Sequence, residues 1–155
     1  MKTLLILVSY HHHNTEKIAK VFAEVHDAQI KTPQQVKSEE LEEYGLIGFG
    51  SGIYSGKHHA DLLDLADNLP RVTGKKAFIF STSAITGDAK VARDHSLLKE
   101  KLQSKGYVIV GEFSCKGFNT NSFLKLFGGM NKGRPNAEDL QDAEVFASKL
   151  KQSIP

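Results

Sequence analysis

Apolar residues run without a break from Leu4 to Val8 and stop at Ser9 and Tyr10. An uninterrupted run of this length predicts a strand over residues 4–9, buried on both faces. Three histidines and Asn14-Thr15 follow, and then Ile18, Val21, Phe22 and Val25 recur at helical spacing. The same alternation continues along the chain. A weak strand is predicted over 27–30, before a polar stretch at 32–35 and an acidic turn at 39–43. A glycine-rich strand spans 44–50, and Leu62, Leu63, Leu65, Ala66 and Leu69 mark a helix closed by Pro70. Further strands are predicted over 76–81 and 107–113. Leu97, Leu98 and Leu102 define the helix between them, with Gly106 as its stop. Asn136 is placed to cap a final helix carrying Leu140, Ala143, Ala147 and Leu150.

Five strands alternating with helices imply an α/β protein, with a mostly parallel sheet covered on both faces. Right-handed crossovers put the C-terminal ends of all the strands on one edge, where ligands bind in such folds. Three predicted loops leave that edge. The first holds Ser9, His11, His12, His13, Asn14 and Thr15. The second holds Ser51, Gly52, Ile53, Tyr54, Ser55 and Gly56, and the third Ser81, Thr82, Ser83 and Ala84. The first ends at the start of a helix, whose outward-pointing amides and dipole suit a phosphate. The other two are small and hydroxyl-rich, and Tyr54 can lie against a planar ring. Together they predict a mononucleotide site.

These loops give the chain a resemblance to the flavodoxin family, in particular its short-chain members, over essentially its whole length. Asn14-Thr15 matches the last two positions of that family's phosphate loop. The resemblance implies a three-layer α/β/α sandwich with a five-stranded parallel sheet in the order 2-1-3-4-5. It implies FMN as cofactor, with Thr15 donating to its phosphate. The second and third loops would lie against the ring. Two departures stand out. His12 and His13 replace a hydroxyl residue and a glycine, so a left-handed backbone there would cost about 1 kcal/mol. The third loop has no aromatic, so a residue such as Phe118 in the long 115–135 connection would have to cover the second ring face.

Composition narrows the function. The chain has 155 residues and a formal charge of +2, with its lysines scattered, which is no nucleic-acid profile. One cysteine, Cys115, excludes an internal disulfide and suits a reducing compartment. The opening apolar run is too short for an export signal and lacks a cleavage site, and nothing later approaches a membrane span. The expectation is a single cytoplasmic, monomeric domain over residues 1–155. No catalytic or metal-binding side chain is predicted, since adjacent loop histidines rarely converge on one ion. Protonated histidines beside a phosphate would tighten its binding as pH falls.

The expected function is electron transfer. FMN would carry single electrons from a flavodoxin-reductase-like donor to an unknown acceptor. Two alternatives stand beside it: a small NAD(P)H-dependent FMN or quinone reductase, and a flavin-free binding module on the same fold. Lys57 and the loop histidines would favour the more negative, reduced cofactor relative to acidic members of the family.

Overall fold

The computed structural model describes residues 1–10, 13–117 and 131–154. His11, His12 and the phenylalanines Phe118, Phe123 and Phe127 lie outside the described residues. Strand β1 (Thr3–Val8) is buried along its whole length. Leu4, Ile6 and Val8 enter one core, and Leu5 and Leu7 enter another on the opposite face. That two-sided burial is why the run carries no polar alternation.

The sheet runs β2 (Gln29–Lys31), β1, β3 (Leu46–Tyr54), β5 (Lys75–Ser83), β6 (Tyr107–Lys116), all parallel. A two-residue strand, β4 (Lys57–His58), pairs antiparallel with the end of β3. With that hairpin strand set aside, the order is the expected 2-1-3-4-5. Helices α1 (Asn14–His26) and α4 (Ala137–Ser153) cover one face through Ile18, Phe22, Ala143, Ala147 and Leu150. Helices α2 (Ala60–Asn68) and α3 (Asp88–Ser104) cover the other through Leu62, Ala66, Leu98 and Leu102. This is the three-layer sandwich. Asn136 caps α4 as expected, accepting from the Asp139 amide at 3.0 Å while the Asp139 carboxylate accepts from its own. Among the described residues, no helix is long and apolar enough to cross a membrane.

The glycines of β3 make room for aromatic rings. A Cβ at Gly48 would lie 2.4 Å from Phe78, and one at Gly50 2.1 Å from Phe80. Both rings meet Phe22 edge-on, with centroids 5.6 and 5.1 Å away. Here α1 packs on β3 and β5 through aromatic volume instead of β3 side chains.

Three strands run further than their apolar runs. β3 extends to Tyr54, β5 to Ser83 and β6 to Lys116. Much of what the sequence marks as the second and third loops is therefore strand. The polar residues stay in the sheet because their hydroxyls are satisfied there, Ser81 with Ser114 and Ser51 with the Gly52 carbonyl and the His59 amide. Val8, Ser51, Ser81 and Ser114 stand in one register row across β1, β3, β5 and β6. One bulge makes the row possible. Ala77 pairs with Ile109 but Phe78 with Gly111, leaving Val110 extra and turning Glu112 and Ser114 toward α3.

Candidate functional site

The serine row closes the core beneath the C-terminal edge, and its hydroxyls are committed to the protein. Ser51 is fully buried; its Oγ donates to the Gly52 carbonyl (2.6 Å) and accepts from the His59 amide (3.0 Å). Ser81 Oγ lies 2.7 Å from His95 Nε2 and 3.0 Å from Ser114 Oγ, and His95 Nδ1 donates to Glu112 at 3.0 Å. The order Ser81–His95–Glu112 has the connectivity of a hydrolytic triad. Ser81 is 1% exposed, however, so the chain fastens β5, α3 and β6 and offers no nucleophile. Burial holds His95 below its usual range against the opposing pull of Glu112. The neighbouring His58, buried on β4, donates from Nε2 to the Phe80 carbonyl (3.0 Å) and is pushed down to about 3 by burial and by His95. A neutral histidine thus ties the hairpin to β5, with the His95 ring of α3 5.0 Å from its own.

Above this layer lies the turn after β1. Ser9 Oγ accepts from the Glu16 amide at 3.1 Å, taking one of the free donors of α1. His13, the cap of α1, is left-handed (φ 53°, ψ 36°) and makes no side-chain cap bond; its exposed ring pairs with Glu16 at 2.9 Å. Asn14 packs on Gly117, where a Cβ would lie 2.6 Å from Asn14 Nδ2. Thr15 is buried, and its Oγ1 lies 2.8 Å from that of Thr82. The first turn of α1 is therefore joined to the ends of both β5 and β6.

The second segment is a hairpin. Ser55 and Gly56 both have positive φ (52° and 76°), the pattern of a two-residue type I′ turn. Both are exposed, whereas Gly52, Ile53 and Tyr54 are half-buried. The Tyr54 ring meets His59 edge-on at 5.2 Å, and Tyr10 packs against the same histidine at 5.3 Å. Burial, with Tyr10 close by, raises the Tyr54 hydroxyl above its usual 10. His59 also caps α2, its Nδ1 accepting from the Asp61 amide at 3.0 Å. The third segment keeps Ser83 and Ala84 half-buried and reachable. Asn131 Nδ2 donates to the Ala84 carbonyl at 2.7 Å, and Lys90 Nζ to Ser83 Oγ at 3.3 Å.

The structure accordingly divides the residues singled out by sequence. Ser9, His13, Asn14, Gly52, Ile53, Tyr54, Ser55, Gly56, Ser83 and Ala84 line the edge. Ser51, Thr15, Ser81 and Thr82 are buried beneath it with engaged hydroxyls, and act on the site by holding its walls. His59, Asn131 and Lys90 also belong to the neighbourhood. His59 was readable as a helix start before an apolar run; Asn131 and Lys90 carry no sequence signal. Cys115 is buried in β6, and burial pushes its thiol up to about 12, so it is an unreactive core residue at neutral pH. Among the described residues no cluster of metal-ligating side chains occurs.

Comparison with known proteins agrees with this geometry. A family model described as a flavodoxin domain matches residues 5–120. An uncharacterized protein of Methanocaldococcus jannaschii is 47% identical over 150 residues, spanning 97% of this chain and 98% of its own length. Among solved structures, oxidised Flavodoxin 2 from Bacillus cereus superimposes with a TM-score of 0.72 at 19% identity, covering 99% of this chain and 100% of that one. A short-chain flavodoxin associated with a non-canonical PDU bacterial microcompartment gives 0.71 at 13% identity, with both chains fully covered.

Proposed function

The chain belongs to the flavodoxin family, and from that premise we propose that it holds FMN non-covalently at the C-terminal edge of the sheet. There it would pass single electrons between a reductase-like donor protein and an acceptor. One observation carries the reading. The α1 N-terminus, with no side-chain bond from its cap residue, sits at the end of β1. Thr82 and Gly117 lie against its first turn, and the turn before it reaches the Tyr54 hairpin through His59, whose ring meets both Tyr10 and Tyr54.

The donor set fits the cofactor. The first amides of α1, with the Ser9 hydroxyl and exposed His13, suit a phosphate dianion. The half-buried Tyr54 and the Gly52 backbone suit a ring face, and Ser83 and Ala84 suit its polar rim. FMN, when bound, supplies the redox chemistry. The chain's own part is to fix the phosphate, cover the ring and exclude water. The engaged hydroxyls of Thr15, Thr82, Ser51 and Ser81 support this assignment of labour, since they preorganise the walls before any ligand enters.

The charge around the third segment supports an electrostatic role as well. Lys90 reaches Ser83, and Lys116 is the register partner of Ser83 in β6. Lys90 is tied to the buried Asp94 carboxylate, so Lys116 is the cation here that would favour the reduced cofactor.

Reconstitution tests the reading. The purified chain incubated with FMN and passed over a desalting column should retain flavin absorbance in equal molar amount. It should then show negligible NAD(P)H oxidation until a flavodoxin-reductase-type protein is added. Turnover without that protein would favour the reductase alternative, and flavin-free protein the binding module.

A further inference from the structure

Ser83 closes β5 and Ala84 follows it, and the acceptors of both residues already hold protein donors. The Ser83 carbonyl accepts from the Gly117 amide at 3.0 Å. The Ala84 carbonyl accepts from Asn131 Nδ2 at 2.7 Å, with the Gly117 carbonyl 3.5 Å from the same nitrogen. Two carbonyls facing one end of the Asn131 amide fix that end as the NH2 group. Ser83 Oγ accepts from Lys90 Nζ at 3.3 Å. The hairpin wall shows the same pattern at one point, where the Gly52 carbonyl accepts from Ser51 Oγ at 2.6 Å.

The donors of Ser83 and Ala84 stand in the opposite state. An ammonium has no lone pair, so Lys90 cannot accept the Ser83 hydroxyl proton, which must turn elsewhere. Among the described residues the Ser83 hydroxyl donates to no acceptor, and the Ala84 amide makes no hydrogen bond. Lys90 is itself held from the far side by Asp94, a buried carboxylate one helical turn along α3. A ring N–H arriving at Ser83 and Ala84 would meet acceptors that are already engaged. A carbonyl oxygen or an unprotonated ring nitrogen would meet two donors without partners.

We infer that Lys90, anchored by Asp94, is a positioning residue that makes Ser83 a hydrogen-bond donor, so that this rim recognises the acceptor edge of a heteroaromatic ring. The inference rests on the proposed FMN reading and adds to it which chemical edge of the ring the third segment meets, and which residue decides that.

Titration calorimetry of the cofactor-free chain tests it with FMN, 2-thio-FMN, 4-thio-FMN and 3-methyl-FMN. Sulfur is a poorer acceptor than the carbonyl oxygen it replaces, and the methyl group removes the ring N–H. At least one thio analogue should bind about fivefold or more weakly than FMN, and 3-methyl-FMN within about twofold of it. Ser83→Ala should reduce the thio discrimination to below about twofold. Lys90→Gln keeps a donor for Asp94 but offers Ser83 a carbonyl to bond, and should reduce it equally. Lys90→Arg, again without an acceptor, should retain it. Thermal unfolding confirms that each variant is folded. Discrimination that survives in Ser83→Ala or Lys90→Gln, or is lost in Lys90→Arg, overturns the inference. So does a loss of about fivefold or more on methylating the ring N–H. A wild-type chain that binds FMN and both thio analogues equally overturns it and leaves the FMN reading standing. A chain that binds no FMN overturns that reading, and the role of Lys90 with it.

Discussion

The hydroxyl oxygens of Thr15 and Thr82 lie 2.8 Å apart, both buried, and join the first turn of α1 to the end of β5. A buried hydroxyl left without its partner costs about 1–3 kcal/mol, whereas removing both partners together is far milder. Thr82→Val should therefore destabilise the chain by that amount in urea unfolding. The double variant with Thr15→Val should cost clearly less than the sum of the two singles. Additive costs would mean that the two hydroxyls do not depend on each other.

Acid should unfold this protein early. His26, His58 and His95 all have folded-state pKa values below the usual 6.5, chiefly through burial, and His58 falls to about 3. A lowered folded value means that the unfolded chain takes up the proton first. Stability is then full above about pH 6.5 and declines as pH falls, until the folded groups protonate in turn. For His58 the decline spans from 6.5 to about 3. Between about pH 7.5 and pH 5.5, His58 alone should remove about 1.4 kcal/mol of unfolding free energy. Denaturant titrations at the two pH values measure it, and equal stabilities would contradict the burial of neutral imidazoles.

The left-handed cap at His13 is a point of backbone strain. Its φ of 53° suits glycine, and among the described residues its exposed ring pairs with Glu16. His13→Gly should raise the unfolding free energy by up to about 1 kcal/mol, since the surface ion pair it sacrifices contributes little. A measured loss of stability would mean that the His13–Glu16 pair outweighs the strain. If the exposed imidazole also serves the phosphate, FMN affinity should fall in the same variant.

Glycine at position 50 is required by volume. An alanine methyl there would lie 2.1 Å from a ring carbon of Phe80, which is fully buried and packed against Phe22. Gly50→Ala should cost about 1–3 kcal/mol through overpacking, read by thermal or urea unfolding. Phe80→Leu in the same chain should recover part of that loss.

Most of the architecture was legible in the sequence because burial wrote it there. The unbroken run of β1, the helical spacing of Ile18 and Phe22, and the capping Asn136 each report a local constraint. The strand ends were misplaced for one reason. Reading a strand to the end of its apolar run stops β3 at Gly50 and β5 at Ser81. The serine row continues both, Ser81 through a bond to Ser114 across the sheet and Ser51 through the His59 amide at the start of α2. Such bonds need partners distant in sequence, and the Val110 bulge that supplies Ser114 and Glu112 leaves no local mark. The hairpin did leave one, in the Ser55-Gly56 pair. At the site, residue type identified the three segments correctly as the sheet's C-terminal edge. It could not distinguish a hydroxyl facing a ligand from one facing inward, and Thr15, Ser51, Ser81 and Thr82 face inward.

A turn after β1 that grips a flavin phosphate must distinguish FMN from riboflavin. Isothermal titration of the cofactor-free chain with FMN and, separately, with riboflavin tests it most directly, because the two ligands differ only in that phosphate. FMN should bind one-to-one and at least about tenfold tighter than riboflavin, a difference of about 1.4 kcal/mol or more. Equal affinities for the two, or no heat with either, would contradict it.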